Sequence, residues 1–282
     1  MDIRRKTSQY VVTTAELCVV LILLAVLMYL WTLLAWGKER PNELSIGERF
    51  HRETSLTWRG VLGDLFRAKP KEPPPYKTYP GAKVIPLLKP TYRGMILEEA
   101  IEERRSVRNY SPKAIRIAQL SQLLFAAQGI TGRMYDQPLR SAPSAGALYP
   151  FEVYVIANNV QDLPRGIYHY AVVDHALEVV KSGDFRGQIT DAGLKQEMLG
   201  EAAVTFVLSA IFDRTRRKYG ERGFRYVYIE AGHISQNIYL QAVSLELGSV
   251  CVGAFLDEKV NQLIGIDGRE EAVIYLHAVG ML

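Results

Sequence analysis

Residues 221–255 read ERGFRYVYIEAGHISQNIYLQAVSLELGSVCVGAF, a long amphipathic helix that runs into a short strand of small and β-branched residues. Ile234, Ile238, Ala242 and Leu245 recur at helical spacing and build one apolar stripe. Gly248 stands where a C-cap glycine would end the helix, and Val250-Cys251-Val252-Gly253-Ala254-Phe255 follows as the strand. A bare glycine in such a strand lets the backbone come close to a flat ligand. A plain core helix and strand satisfy the same pattern, and two further segments decide between the alternatives.

The first is residues 102–110, EERRSVRNY, expected to close a helix that starts near Met95, ahead of the helix breaker Ser111-Pro112. On a helix, Arg104 and Arg108 are four apart and share one face. Two guanidinium forks with the Ser106 hydroxyl beside them form a cradle for a phosphate, unless Glu102 and Glu103 neutralise the arginines. The second is residues 141–156, SAPSAGALYPFEVYVI, an irregular loop of small residues and two prolines before a strand that starts near Phe151. Such a loop offers backbone groups and the Ser144 hydroxyl to the edge of a heterocycle. No G-x-S-x-G surrounds Ser144, which argues against a nucleophilic serine.

In this order the segments RRSVRNY, PSAGALYPFEVYV, KYGERGFRYVYIEAGHISQNIYLQA and LGSVCVGAF resemble the FMN-dependent nitroreductase superfamily. They are most similar to its SagB-type branch, which contains the azoline dehydrogenases. The likeness runs from about Met95 to the C-terminus. It implies an α+β, nitroreductase-like fold, with a central, mostly antiparallel sheet flanked by helices. It also implies a homodimer formed through long helices, with FMN at the interface. Carried onto this sequence, the resemblance implies that Arg104, Arg105, Ser106 and Arg108 hold the FMN phosphate and ribityl chain. Pro143, Ser144, Ala145 and Gly146 would then lie along the isoalloxazine edge, and Cys251, Val252 and Gly253 would present strand backbone to the flavin. Many members continue past the last strand with basic residues, whereas this sequence stops at Gly280-Met281-Leu282. The phosphate is therefore expected to be held without such a tail.

The pair Lys218-Tyr219 matches a Lys-Tyr pair with which the azoline branch removes a proton as hydride leaves for the flavin. Arg214, Arg216, Arg217 and Arg222 crowd this pair in the sequence. Neighbouring cations and partial desolvation lower the pKa of a lysine toward that of a base. A purely structural basic surface run would read the same way. His233, near the start of the long helix, could pack or bind flavin, and a structural role is the favoured reading.

Other chemistries find less support. The histidines at 51, 169, 175, 233 and 277 show no metal-ligand spacing, and Cys18 and Cys251 are far apart, so no metal site is expected. The run RTRRKYGER is a single basic patch without interleaved stacking aromatics, so no nucleic-acid partner is expected. Neither a G-x-G-x-x-G nor a G-x-x-x-x-G-K-[ST] motif is present.

The chain has 282 residues, 48% of them hydrophobic, and a net charge of +4, which suits a sizeable core and points to no polyanionic partner. Much of the hydrophobic excess lies between Leu17 and Trp36, 20 residues without a charge. That length matches a bilayer at about 1.5 Å per residue, so residues 17–36 are read as a single transmembrane anchor behind a flank of 1–16. Cys18 then lies in the lipid and cannot pair with Cys251. Basic residues flank the span on both sides and leave its orientation open. The catalytic domain is placed in the cytoplasm because FMN and reduced nicotinamide are there. Residues 37–94 are read as a linker, with a short helix expected before residue 70 and seven prolines between 70 and 90 favouring an extended spacer. The nitroreductase-like domain is set at 95–282.

These readings combine into a membrane-anchored, homodimeric FMN oxidoreductase that passes hydride between flavin and NAD(P)H or an organic substrate. As an azoline dehydrogenase it would form thiazole or oxazole rings in a peptide, with Lys218 or Tyr219 as base. As a reductase it would take NAD(P)H as co-substrate for a small-molecule acceptor and need no dedicated base. A flavin-binding membrane scaffold without catalysis is the alternative of another class.

Overall fold

The computed structural model describes residues 14–36, 44–57 and 67–282, with α1 side chains from 19 to 31 only. The chain divides into two units, Met1–Ser55 and Leu56–Leu282. The N-terminal flank up to residue 13, and residues 37–43 and 58–66 of the expected linker, lie outside the described residues.

In the first unit, helix α1 spans Thr14–Trp36. Its described side chains, Val19 to Trp31, are all exposed. They cover 13 residues, about 20 Å of helix against a hydrocarbon core of about 30 Å. Among the described residues no helix is long and apolar enough to cross a membrane. The transmembrane span expected at 17–36 is therefore not borne out. Helix α2, Ile46–Glu53, starts with a capping box. Ser45 Oγ accepts from Glu48 N at 3.2 Å, and Glu48 Oε2 accepts from Ser45 N at 2.9 Å.

From residue 67 the described part of the second unit runs through a proline-rich segment that ends in β1, Val84–Pro86. Helices α3, Leu97–Glu103, and α4, Ile117–Gln128, follow. Next come a hairpin of β2, Ile130–Met134, and β3, Gln137–Arg140, and then β4, Phe151–Ala157. Strands β5, Gly166–Ala171, and β6, Ala176–Ser182, precede helices α5, Arg186–Ala192, and α6, Met198–Glu201. The chain then forms β7, Val204–Ile211, α7, Asp213–Tyr219, and α8, Arg222–Ser244. It finishes with β8, Leu247–Val252, α9, Asp257–Ile264, and β9, Glu271–Met281.

Seven strands form one sheet in the order β1-β6-β5-β4-β7-β9-β8, and every pair is antiparallel. Strand alternation explains why β4 is buried along its whole length. Phe151, Val153 and Val155 pack on one face with Leu120 and Leu124 of α4 and Ile234, Ile238 and Ala242 of α8. Tyr154 and Ile156 pack on the other with Ile189 of α5, Leu199 of α6 and Ile264 of α9. The helical stripe read from the sequence is thus the inner face of α8, and the sheet lies between two helical layers.

The proline-rich segment is not a free spacer in this unit. Val84, Ile85 and Pro86 pair with β6. Lys77 donates from Nζ to Tyr154 Oη at 2.6 Å and is ion-paired to Glu271. Tyr79 donates from its backbone to Glu178 Oε1 at 3.1 Å. Below them, His169 places Nε2 2.9 Å from Glu152 and Nδ1 2.7 Å from Glu178, so a buried polar ledge fastens the segment to the sheet.

Candidate active site

Two groups of polar side chains flank opposite ends of α8. The first is built where α3 stops. Helix α3 ends at Glu103, and Arg104, with φ −54° and ψ 120°, leaves the helical region. From there the chain runs alongside β8. Ser106 bridges Ser249, and Val107 N donates to Ser249 O at 2.9 Å. Arg104 and Arg108 therefore do not share a helix face, as the four-residue spacing suggested. Extended backbone alternates sides, which turns Arg104, Ser106 and Arg108 one way and Val107 the other. Val107 Cγ1 would lie 2.8 Å from a Cβ at residue 248, so Gly248 serves close packing inside β8. The helix stop is made earlier, by the cap at Leu245 and by Glu246 with φ +58°.

Tyr239 of α8 organises this group. Its hydroxyl lies 3.0 Å from Ser106 Oγ and accepts from Cys251 N at 2.9 Å. Its ring lies under the Arg104 guanidinium, 5.1 Å from the centroid. Tyr275 adds a hydroxyl 2.7 Å from Cys251 Sγ. Beneath the Tyr239 ring sits His277, fully buried and bonded through Nδ1 to Ser235 Oγ at 2.8 Å. Burial pushes His277 down to about 3, so it stays neutral. Arg105 donates to the carbonyls of Glu102 and Arg104. Among the described residues no carboxylate pairs with Arg104, Arg105 or Arg108. Beyond Cys251 and the buried Val252, Gly253 is exposed, and a Cβ there would meet nothing closer than 3.7 Å.

The second group forms around the loop between β3 and β4. Gly146, Ala147 and Tyr149 have φ of 64°, 54° and 46°, left-handed values that cost two non-glycine residues about 1–3 kcal/mol each. Tyr149 N donates to Ser144 Oγ at 2.9 Å, and Gln137 donates to Ala147 O at 2.8 Å. Pro143 and Gly146 are exposed, and Ser144 and Ala145 half-buried. Lys218 and Tyr219, at the end of α7, meet this loop. A Cβ at residue 146 would stand 2.8 Å from Lys218 Nζ and 2.7 Å from Tyr219 Oη. The structure thus brings together two segments some seventy residues apart.

The field around Lys218 differs from the one the basic run suggests. Arg214 pairs with Glu152 at 2.6 Å, Arg216 with Asp213 and Glu221, each at 2.9 Å, and Arg217 with Glu72. Arg214, Arg216 and Arg217 are therefore offset by carboxylates. Lys218 itself is exposed and its Nζ lies 5.3 Å from the Tyr219 ring centroid.

The protein-family comparison matches the description "Nitroreductase family" over residues 101–281. The chain belongs to the nitroreductase family. The nitroreductase homologue MJ1384 of Methanocaldococcus jannaschii is 39% identical over 170 residues, covering 60% of this chain and 84% of that protein. The microcin B17-processing protein McbC of Escherichia coli is 30% identical over 146 residues, covering 50% of this chain. The match covers 54% of McbC, about half its length. In solved structures, a nitroreductase-family protein of Anabaena variabilis superposes with a TM-score of 0.68 at 28% identity, covering 86% of this chain and 49% of that one. The E. coli microcin synthetase McbBCD complex, with truncated pro-MccB17 bound, shares the fold with a TM-score of 0.55 at 22% identity, covering 86% and 99%.

Within this family member, sequence reading missed Tyr239, Tyr275, His277 and Glu230. Glu230 alone left a signal. It falls on the buried stripe of α8, between Val227 and Ile234, where an apolar residue is expected. The residue is 2% exposed, and one carboxylate oxygen has no hydrogen-bond partner. Burial pushes its carboxyl up to about 8, against the opposing influence of the Ser144 hydrogen bond and the Arg140 charge. His233, expected to pack, is exposed on α8.

Proposed function

We propose that this nitroreductase-family chain is an FMN-dependent dehydrogenase of the SagB type that oxidises a heterocycle in a peptide. The convergence of Lys218 and Tyr219 on the Pro143–Gly146 loop carries this reading. Relatives named for microcin B17 and trifolitoxin processing support a peptide substrate.

The residues present fit FMN. Three guanidinium groups that pair with no carboxylate among the described residues, with the Ser106 hydroxyl, suit a phosphate. The exposed Gly253 backbone and the Pro143–Gly146 loop suit the edge and face of a flat ring. FMN would supply hydride chemistry there. The chain's own contribution is the proton. Lys218 Nζ, or Tyr219 Oη beside it, takes a proton from a substrate carbon above the loop, while the left-handed turn keeps side-chain bulk out of its path.

From Glu230 to Tyr239 α8 rises through nine residues, about 14 Å. Tyr228, Ile229, Gly232, His233 and Gln236 lie exposed on one side of it. A second copy of the chain covering this stripe, with flavin between the copies, belongs to the same reading. Placement of the catalytic unit in the cytoplasm, where FMN and reduced nicotinamide are, belongs to the same reading. Fractionation of cells that express the full-length protein tests that location: recovery of the catalytic unit outside the cytoplasmic compartment rules it out.

The test of the activity is Lys218→Ala in flavin-loaded protein. A dehydrogenase loses turnover of a thiazoline peptide and keeps its flavin spectrum. Unchanged turnover, with bleaching of the flavin by NADH or NADPH, leaves a reductase instead.

A further inference from the structure

Helix α7, Asp213–Tyr219, carries Lys218 and Tyr219 at its end and is only seven residues long. A helix this short has little stability of its own, so its place is set by what holds it from outside. Arg214, in its first turn, is 3% exposed and reaches three different elements. Its Nε donates to Pro74 O at 2.8 Å, its Nη1 donates to Tyr149 O at 3.3 Å, and its Nη2 is ion-paired to Glu152 Oε1 at 2.6 Å. The planar fork thus joins α7 to the proline-rich segment, to the loop before β4 and to β4 itself. Lys218 follows four residues later, one turn on along the same side of α7.

The proline-rich segment reaches α7 at two further points. Arg67 Nη2 donates to Arg216 O at 3.2 Å, and Glu72 is ion-paired to Arg217. Lys77 N donates to Glu152 Oε1 at 3.2 Å, the oxygen that also holds Arg214. The segment is therefore laid against α7 between residues 67 and 74 and anchored on the same carboxylate.

We propose that Arg214 is a positioning residue for the proton transfer: it locks the helix that bears Lys218 and Tyr219 against the turn that bears Gly146, with the proline-rich segment as part of the lock. This deepens the dehydrogenase reading and rests on it. Arg214 holds both sides of the approach between Lys218 and Gly146, since Tyr149 belongs to the same left-handed turn as Gly146. A slip of about 1 Å between a base and its substrate costs about a hundredfold in rate. Lysine at this position would keep a charge toward Glu152, but a point charge on a flexible stem cannot hold two carbonyls in the plane of a fork. Without the guanidinium, Glu152 still has His169 and the backbone N–H of Lys77, so the carboxylate keeps partners.

The experiment compares wild type, Arg214→Ala and Arg214→Lys as full-length, flavin-loaded protein, with a thiazoline peptide as substrate and with millimolar guanidinium present or absent. Arg214→Ala should slow single-turnover bleaching of the flavin by about ten- to a hundredfold and leave FMN affinity at the wild-type value. Guanidinium, which fills the vacated fork, should restore much of the rate in Arg214→Ala and none in Arg214→Lys, where a side chain occupies the place. Hydrogen exchange over residues 146–150 and 214–219 reads the lock without turnover: both segments should exchange faster together in either variant and slow again when guanidinium is added to Arg214→Ala. If Arg214→Ala fails to fold, Arg214→Lys decides, and wild-type bleaching and exchange in it overturn the proposal. Undiminished bleaching in Arg214→Ala, a loss that guanidinium does not reverse, or an equal loss of FMN affinity also overturns it, while Lys218→Ala still tests the dehydrogenase reading. No thiazoline turnover in wild type overturns the dehydrogenase reading; exchange then decides the lock alone, and segments that do not respond to residue 214 overturn that as well.

Discussion

The two ends of α8 are built on opposite principles. At the C-terminal end the hydroxyl groups are closed on one another: Tyr239 Oη engages Ser106 Oγ and Cys251 N, and Tyr275 Oη engages Cys251 Sγ, while His277 Nε2 beneath them is buried without a partner. The guanidinium groups of Arg104, Arg105 and Arg108 pair with no carboxylate among the described residues. At the N-terminal end satisfaction is incomplete. Glu230 Oε1 is buried without a partner, and three loop residues hold left-handed backbone. A region that binds an anion gains from rigidity, because donors fixed in advance lose little freedom on binding. A region that moves protons needs groups whose charge can change, and those are groups the fold leaves under-paired.

The difference can be broken at either end. Lys218→Ala should cut dehydrogenation by about a hundredfold or more, the usual worth of a general base, read as single-turnover flavin bleaching by substrate. Arg104→Ala should leave that chemistry intact at saturating flavin and weaken FMN binding by about ten- to a hundredfold, one lost charge-assisted contact. Fluorescence titration distinguishes the two, and an equal loss of chemistry at saturation would show that the ends are not separable.

Gly146→Ala should cost about 1–3 kcal/mol of stability through its left-handed backbone, seen as a lower thermal midpoint. Its added Cβ, 2.7 Å from Tyr219 Oη and 2.8 Å from Lys218 Nζ, should also displace the pair and lower turnover.

Proton linkage sharpens the comparison further. Glu230 titrates near 8 in the folded chain against 4.5 for an unperturbed carboxyl, so the folded state holds the extra proton and stability falls as pH rises from about 4.5 to 8. His277, at about 3 against 6.5, works the other way: its contribution is present above 6.5 and is lost as pH falls through 6.5 toward 3. Between pH 6.5 and 8 the Glu230 slope stands alone and amounts to about 2 kcal/mol at most. Denaturant midpoints should decline over that window in wild type and stay level in Glu230→Gln. The smallest effect belongs to Tyr239→Phe, about 1 kcal/mol for each hydrogen bond removed. A larger loss would mean that the closed end also depends on Tyr239 for flavin contact.

The elements with strong periodicity were legible from sequence. The apolar stripe of α8 and the start of β4 at Phe151 stand where the residue pattern set them. Spacing misled at Arg104 and Arg108, because the helical pattern stops at Glu103 and pairing with Ser249 draws the chain out. It misled again at Gly248, where a glycine fits both a helix cap and a tight strand packing, and Val107 decides. The β2–β3 hairpin gave little signal, since its turn places Tyr135 and Asp136 at φ 47° and 63° without a glycine.

By itself the sequence determined the family, the inner face of the long helix, and three segments rich in phosphate-binding, loop-forming and basic residues. These are local properties, written in residue type and short-range spacing. Only the tertiary structure decided that Lys218 and Tyr219 meet Gly146, that carboxylates from Glu72, Glu152, Asp213 and Glu221 offset Arg214, Arg216 and Arg217, and that Glu230 is buried with an oxygen unpaired. Charge and proton affinity depend on what the fold places within a few ångströms, and no one-dimensional spacing records that distance.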